Sequence, residues 1–320
     1  MKILFVVLFV LFTGCTTIPS DGVAVEQAAQ EKVVNQESEI VVPNLKYPAE
    51  NPDTYTPGDG WTLVWSDEFN DDLLDENIWT RQKLLFPYNN EYQQYTGDPD
   101  TAYVQDGYLI LKASKKGEAI RRTGFTSARI ISNPSGNDGT SSAEGKTFLY
   151  GKIAARIQLP YGKGIWPAFW MLGDNVSETG GDTVWPVCGE IDILEAGSNQ
   201  APGNGDGTIT GALHHDPSPG NRIKKNQWIL AGEKTLPNNE LYAEKFHVFE
   251  IEWDEQKIIW RMDGDKWGEI SISEETRDEF HKPFYVIFNI AVGGSYTQTP
   301  DETTPFPQYM YVDWIREYKK

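Results

Sequence analysis

The stretch Glu190-Ile191-Asp192-Ile193-Leu194-Glu195 places three carboxylates among branched apolar residues. β-Branched and aliphatic side chains of this kind favour a β-strand. Successive side chains of a strand point to opposite faces, so Glu190 and Asp192 share a face and Glu195 has the opposite parity. A β-bulge at Ile193-Leu194 would add one residue and return Glu195 to the face of the other two acids. The stretch therefore predicts a bulged strand with three acids on one face.

Three carboxylates on one face repel one another, and a chain tolerates this where the repulsion separates their pKa values. Glycoside hydrolysis needs such a separation, because one carboxylate acts as an ionised nucleophile while the other holds a proton for the leaving oxygen. A retaining mechanism wants the pair about 5–5.5 Å apart, an inverting one about 6.5–9.5 Å. Glu190 and Glu195 fit these two roles, with Asp192 hydrogen-bonding the nucleophile. The alternative is a solvated strand edge whose acids have no catalytic part.

An aromatic segment precedes the acids, with Trp166, Phe169 and Trp170 close together. Trp faces stack on the C–H faces of sugar rings and are costly to expose without a purpose. The even spacing of Trp166 and Trp170 puts both on one face of a strand. We expect these two residues to form a sugar platform and Phe169 to belong to the core. Ordinary core packing is the alternative for both Trp residues.

Several ordered motifs resemble glycoside hydrolase family 16, and more narrowly its bacterial laminarinase (endo-1,3-β-glucanase) branch. The resemblance covers about residues 58–320 and is carried by Gly189–Glu195, Trp166–Gly173, Leu63–Phe69, Asn89–Glu91, Tyr95-Thr96, Thr126–Ile130, Tyr150–Lys152, Phe288–Gly294 and Tyr311–Arg316. It implies an all-β fold, a β-jelly-roll sandwich (concanavalin A-like) with a concave glycan-binding cleft. It also implies retention of configuration.

By position in these motifs, the resemblance implies that Glu190 is the nucleophile, Asp192 its assistant and Glu195 the acid/base. It implies sugar contacts for five residues, the last of them on the leaving-group side: Trp166, Trp170, Asn89, Arg129 and His214. No cofactor is implied for catalysis. A structural Ca²⁺ on the convex side is implied at Glu68, Gly107 and Asp313, although strand-surface charge explains these acids equally well.

The chain departs from the family pattern at three places. Ser295-Tyr296 stands where the family often has Asn-Trp, and this smaller platform leaves the preference for straight 1,3-linked chains open. Lys152 replaces an Arg, which we interpret as a minor surface change. The insert Asn133–Lys146 is rich in Ser, Gly and Asn and predicts a long surface loop whose role the sequence does not give.

Composition limits the partners. The net charge is −19, and an acidic surface repels phosphate backbones, so no nucleic-acid partner is expected. A neutral β-glucan fits better, and 11 Trp and 15 Tyr are consistent with carbohydrate contacts. We expect a monomer. The four His residues show no metal-ligand spacing, and no phosphate-binding Gly loop or Ser nucleophile elbow is found in the sequence.

The N-terminus predicts targeting rather than fold. Lys2 is followed by an apolar run that is too short for a comfortable transmembrane helix and ends at Thr13-Gly14-Cys15. This resembles a bacterial lipoprotein cleavage box, so we expect a signal peptide at 1–14 and a lipidated Cys15. The expected location is the cell envelope, lipid-anchored at the outer membrane or cell surface. An ordinary signal peptide and secretion are the alternative.

The rest of the chain predicts a tether and one domain. Residues 15–57 have little periodicity and predict a disordered tether, and residues 58–320 the catalytic domain. Within the domain, apolar residues alternate along short segments such as Ile153–Leu159 and Ile258–Met262, with a turn signal at Asp263-Gly264. Such segments favour an all-β sandwich, with one short helix near Ser273–Asp278.

The sequence therefore predicts a retaining endo-β-glucanase, a glycoside hydrolase that acts on 1,3-linked glucan by double displacement. A mixed-linkage 1,3-1,4-β-glucanase of the same mechanism is a close alternative, because cleft shape rather than the acids reads linkage. A surface glycan-binding protein with a dead site is the alternative from another class. The sequence does not give the number of sugar subsites or the membrane leaflet.

Overall fold

Strands dominate the part of the chain that the computed structural model describes, which is residue 45 and residues 47–133, 145–218, 225–273 and 275–320. The predicted signal peptide, Cys15 and residues 134–144 of the predicted loop lie outside this part. No helix in it is long and apolar enough to cross a bilayer.

Nineteen strands are present in the described residues: β1 Thr62–Asp67, β2 Thr80–Arg81, β3 Lys83–Leu84, β4 Gln93–Thr96, β5 Ala102–Gln105, β6 Tyr108–Lys115, β7 Phe125–Ser127, β8 Arg129–Ile131, β9 Thr147–Phe148, β10 Gly151–Gln158, β11 Ile165–Gly173, β12 Glu190–Ala196, β13 Thr208–His215, β14 Gln227–Thr235, β15 His247–Trp253, β16 Lys257–Met262, β17 Asp265–Ser271, β18 Phe284–Val292 and β19 Gln308–Lys319. Three short 3₁₀ helices accompany them: Ser177–Thr179, Pro237–Asn239 and Glu275–His281. The last of these overlaps the helix predicted near Ser273–Asp278.

The strands form two sheets that pack face to face. One sheet has the order β14-β13-β12-β11-β18-β8-β2, with β9 paired to β18; we call it the catalytic sheet. The other has the order β17-β16-β15-β10-β19-β6-β7-β4-β3, with β1 on β19 and β5 on β6; we call it the opposite sheet. The prediction of an all-β jelly-roll sandwich is confirmed.

The core lies between the sheets and follows the alternation seen in the sequence. Ile153, Ala155 and Ile157 of β10 point inward and are fully buried against the inward residues of the catalytic sheet. The predicted turn at Asp263-Gly264 joins β16 to β17 with positive φ at both residues, 50° and 85°, a conformation that glycine adopts without strain. Because the inward face of each sheet is filled by the core, a functional site can form only on an outward face.

The last part of the predicted tether, residues 47–57, lies against the sandwich, so the prediction of disorder is wrong for these residues. The Asn51 side chain donates to the Phe246 carbonyl and accepts from its amide, at 3.0 and 2.9 Å. Trp314 donates to Asp53 at 2.9 Å, and the Tyr55 hydroxyl donates to Glu250. The packing of this segment was not predictable from the sequence, because irregular backbone held by side-chain hydrogen bonds has no periodic signal.

Candidate active site

The three acids lie on β12, in the interior of the catalytic sheet, and the predicted bulge is present. Asp192 and Glu195 are three residues apart, yet they pair with Trp170 and Ala168 of β11, which are two apart. On the other side they pair with Ala212 and Thr210 of β13, again two apart. The extra residue restores the parity of Glu195, which therefore shares a face with Asp192.

A tryptophan from the opposite sheet holds the bulge in place. Trp260 of β16 is fully buried and its Nε1 donates to the backbone oxygen of Asp192 at 2.8 Å. Its ring reaches β13 at Gly211, where an added Cβ would lie 2.6 Å from the Trp260 Nε1. Gly211 is thus required for the close approach that satisfies the carbonyl at the bulge.

Each of the two glutamates receives one indole hydrogen bond. Trp185 Nε1 donates to Glu190 Oε2 at 2.9 Å, and Trp166 Nε1 donates to Glu195 Oε1 at 3.0 Å. Asp192 lies between them on the strand, and its side chain is 5% exposed. The glutamates are thus held separately, by donors from two different segments of the chain.

The environment favours a proton on Glu195 more strongly than on Glu190. Burial and the adjacent Asp192 carboxylate raise the pKa of Glu190 to about 8, while His214 and the Trp185 indole act in the opposite direction. Burial, followed by the charges of Asp192 and Glu190, raises the pKa of Glu195 well above the ordinary range of a glutamate. This order suits Glu190 as the ionised group and Glu195 as the proton donor.

His214 supplies positive charge beside two of the acids. Its Nε2 lies 3.4 Å from Asp192 Oδ2 and 3.7 Å from Glu190 Oε1, and its Nδ1 lies 3.2 Å from Asn226 Oδ1. Burial alone would lower the pKa of His214, but Asp192 and the negative charges of both glutamates raise it to about 10. The imidazole is therefore protonated at neutral pH and partly neutralises the acid cluster.

The same three residues form the one group in the described part of the chain with metal-ligand spacing, since ligand atoms of Glu190, Asp192 and His214 lie within 4.8 Å of one another. No such spacing is visible in the sequence, because the group forms in space between β12 and β13. A metal ion at this group would have to displace the proton that the neighbouring carboxylates favour on the imidazole. In the described structure the imidazole and the two carboxylates lie together as part of the acid cluster.

The two predicted platform residues share the face of the acids but differ in surroundings. Trp166 is 9% exposed, and its ring stacks on Tyr296 at a centroid distance of 4.9 Å. Trp170 is half-buried and donates to Asn289 Oδ1 at 2.6 Å. Phe169 is fully buried in the core, as predicted. Trp170 thus offers the more open ring, while Trp166 also holds the acid/base candidate.

Arg129 and Asn89 lie at the cleft with partners of their own. The Arg129 guanidinium is centred 5.2 Å from the Trp170 ring, pairs with Glu178 at 2.8 Å and donates to Gln82. The Asn89 side chain donates to Glu91 Oε1 at 3.3 Å, and its backbone oxygen accepts from the Ser295 amide at 2.8 Å. Their predicted sugar contacts stay predictions.

Trp185 and Tyr296 make hydrogen bonds at the site that were not predicted from the sequence. Trp185 is 45% exposed and contacts Glu190 from a loop, where no periodicity marks it. The Tyr296 hydroxyl lies 2.9 Å from Thr210 Oγ1 and donates to the Glu195 carbonyl at 3.3 Å. The position of Trp185, five residues before Glu190, was the available signal.

The two acids of the expected calcium site are each paired with an arginine. Both oxygens of Glu68 accept from Arg316, at 2.8 and 2.7 Å, and Asp313 Oδ2 accepts from Arg156 at 2.6 Å. Gly107 has a positive φ of 81° in the turn between β5 and β6, which explains the glycine without a metal. Carboxylates paired with arginine are already neutralised, and calcium would have to replace these partners. Calcium at Glu68, Gly107 and Asp313 stays a prediction.

The fold and the site together define the class: a β-sandwich with a buried carboxylate pair of the kind that glycoside hydrolases use. Comparison with known families agrees. Residues 89–316 match the sequence model of "Glycosyl hydrolases family 16", and the chain belongs to this family.

Relatives and solved structures give the same placement. The chain is 32% identical over 282 residues to Glucan endo-1,3-beta-glucosidase A1 of Niallia circulans, covering 82% of the chain and 38% of that relative. It is 33% identical over 271 residues to Beta-glucanase of Rhodothermus marinus, covering 81% and 85%. The laminarinase catalytic domain of Thermotoga maritima superposes with a TM-score of 0.65 at 38% identity, covering 81% of the chain and 98% of that domain.

Proposed function

We propose that the protein is a retaining endo-1,3-β-glucanase. The observation that carries the proposal is the bulge, which puts Glu190 and Glu195 on one face with Asp192 between them and gives the two glutamates different surroundings. The activities of the relatives, an endo-1,3-β-glucosidase and a laminarinase among them, support the substrate class.

In the first step, the Glu190 carboxylate attacks C1 of the sugar on the non-leaving side. The C1–O bond to the leaving sugar breaks, and the proton on Glu195 passes to that oxygen. Burial of Glu195 supports this role, because it keeps the proton on the carboxyl until the leaving oxygen needs it. The product of the step is a glycosyl ester of Glu190.

In the second step, the ionised Glu195 takes a proton from water, which attacks C1 from the side that the leaving sugar vacated. The ester bond breaks and Glu190 leaves as a carboxylate, so two inversions give net retention. His214⁺ and the Trp185 indole stabilise the charge on Glu190 as it is released. Asp192 keeps the imidazolium in place.

The test is hydrolysis of a panel of polysaccharides: laminarin, barley β-glucan, agarose and carrageenan. We expect reducing sugar from laminarin, and β-anomers in NMR spectra of the first products. Glu190→Gln and Glu195→Gln should each lose nearly all activity, about 10³–10⁵-fold, and Asp192→Asn should lose less. If neither laminarin nor barley β-glucan is cleaved, the proposed substrate is wrong. If the first product is an α-anomer, the proposed retention is wrong.

Mixed-linkage glucan remains the second candidate, and one observation favours it. Tyr296 provides a smaller platform than the Trp common at this position, and its ring is already stacked on Trp166. A higher kcat/KM on barley β-glucan than on laminarin would decide for it. A dead glycan-binding protein is disfavoured because all three acids are present; binding of glucan without release of reducing sugar would establish it.

We also propose that the protein is anchored at the bacterial cell envelope by a lipid on Cys15. The support is the apolar run that ends in Thr13-Gly14-Cys15. Metabolic labelling with a fatty-acid probe should mark the wild type and not Cys15→Ala, and the variant should leave the membrane fraction. Label on both proteins, or on neither, would reject lipidation at this residue.

A further inference from the structure

A tyrosine-lined pocket lies on the outer face of the opposite sheet, away from the acids. Its volume is about 550 Å³, within the range of small-ligand sites. Six tyrosines line it: Tyr47, Tyr103, Tyr108, Tyr161, Tyr309 and Tyr311. Side-chain parity gives the face, because the neighbours Leu109, Met310 and Val312 point into the core. The residues of the pocket therefore point away from the interior, on the other sheet from the catalytic face.

The rings form a ready-made platform with one wall supplied by the N-terminal segment. Tyr47 stacks on Tyr311 at a centroid distance of 5.9 Å and an interplanar angle of 21°. Tyr309 lies 6.1 Å from Tyr311, and Tyr108 packs edge-on against it at 6.0 Å. This packing fixes the rings before a ligand arrives, so little conformational entropy is lost on binding.

The polar groups of the pocket suit hydroxyl-bearing ligands. The Tyr47 hydroxyl is buried and makes no hydrogen bond in the described part of the chain. Gln105 lies exposed at the rim, where its amide donates to Asp106 at 3.0 Å. Among the described residues that line the pocket there is no Lys or Arg, and Asp106 is the only charged one. A sugar offers C–H faces to the rings and hydroxyls to these polar groups.

We propose that this pocket is a second glycan-binding site, which takes a short segment of neutral β-linked glucan while the acids act on another segment. The choice of a glucan rests on the proposed function of the cleft. Binding of a polymer at one site raises its effective concentration at the other site. The second site therefore keeps the enzyme bound longer to long or insoluble chains. It adds nothing for an oligosaccharide that only fills the cleft.

The test removes two outward rings, Tyr103 and Tyr309, which are half-buried and belong to the pocket but not to the catalytic face. The variants are Tyr103→Ala/Tyr309→Ala and the matched control Tyr103→Phe/Tyr309→Phe, which keeps the rings. Binding to insoluble 1,3-β-glucan particles is measured in a Glu190→Gln background to prevent hydrolysis. The melting temperature of each protein confirms folding.

We expect the Ala pair to weaken binding to the particles by about tenfold and the Phe pair by less than about threefold. Titration with a laminari-oligosaccharide should show two sites in Glu190→Gln and one after the Ala pair is added. With Glu190 intact, kcat/KM on a short soluble oligosaccharide should not change. Equal binding by the Ala and Phe pairs, or one site in both titrations, would overturn the proposal. Activity of the wild type on laminarin tests the proposed function separately, because it does not depend on the pocket.

Discussion

The indole of Trp166 contacts the acid/base candidate and the neighbouring aromatic ring at once. Its Nε1 donates to Glu195 Oε1 at 3.0 Å, and its ring stacks on Tyr296 at 4.9 Å. Because the indole hydrogen bond favours the ionised form, Trp166 lowers the pKa of Glu195 against the larger effect of burial. A residue predicted to hold sugar therefore also sets the orientation and the acidity of the proton donor.

Trp166→Phe tests this second role, because phenylalanine keeps an aromatic ring and removes the donor. We expect kcat to fall about tenfold as Glu195 loses its orientation. The pKa of Glu195 should rise, so the alkaline limb of the kcat/KM profile should move to higher pH. Trp170→Phe is the control, since its indole donates to Asn289 instead. A shift of the alkaline limb in both variants, or in neither, would contradict the assignment.

Replacing Glu190 by a neutral residue should stabilise the protein, and the gain should depend on pH. Its pKa is about 8 in the folded protein against an ordinary value of 4.5. The folded state therefore loses stability as the pH rises from about 4.5 to about 8, and the full cost remains above pH 8. Glu190→Gln removes this cost. We expect the melting temperature to rise at pH 8, by about 2–4 °C for each 1 kcal/mol of this cost that is removed, and to rise by less at pH 5.

The matched control for this stability measurement is Glu269→Gln. Glu269 lies at the surface between Lys257 and Lys266, and these partners lower its pKa, so its replacement should give no gain at pH 8. A drop in melting temperature for Glu190→Gln at both pH values would show that the carboxylate is structural rather than held at a cost for catalysis.

Removal of the charge on His214 should shift the acid limb of activity. His214⁺ lies 3.7 Å from Glu190 and lowers the pKa of that carboxyl. His214→Asn should therefore raise the pKa of Glu190, so that the nucleophile is ionised only at higher pH. We expect the acid limb of kcat/KM to move up by about one pH unit. His281→Asn, which removes an imidazole bonded to Tyr150, should leave the limb in place; an unmoved limb in His214→Asn would contradict the charge role.

The local chemistry of the site was predictable because strand parity is a short-range rule. Glu190, Asp192 and Glu195 could be placed on one face only if a residue was inserted at Ile193-Leu194, and the pairing shows that insertion. The burial of Phe169 followed from the same alternation. These inferences needed no knowledge of distant contacts.

Contacts between distant segments could not be predicted in the same way. The donor from Trp185 comes from a loop, and the one from Trp260 crosses between sheets. The packing of residues 47–57 depends on hydrogen bonds such as that of Asn51 to Phe246, 195 residues away. Tyr47 and Tyr55 distinguish it from residues 15–46, which contain no aromatic residue, but no periodicity marks it as a packed segment.

One exposed tryptophan extends the row of catalytic residues across the sheet. Glu190 pairs with His214, and His214 pairs with Trp228 of β14, so the three side chains share a face. Two strand spacings place Trp228 about 10 Å from Glu190, beyond the first sugar on the His214 side. Trp228 is 59% exposed, which leaves its ring available for stacking.

Trp228→Ala should therefore raise KM for polymeric glucan by about fivefold with kcat nearly unchanged, because the lost contact is a binding contact present before and during the reaction. An aryl glycoside with a small leaving group does not reach this strand, so its kcat/KM should stay the same. Leu230→Ala is the matched control, since Leu230 is exposed on the same face of β14 but has no ring to stack. Equal losses on the polymer and the aryl glycoside would mean that Trp228 supports the sheet rather than the leaving-group side of the cleft.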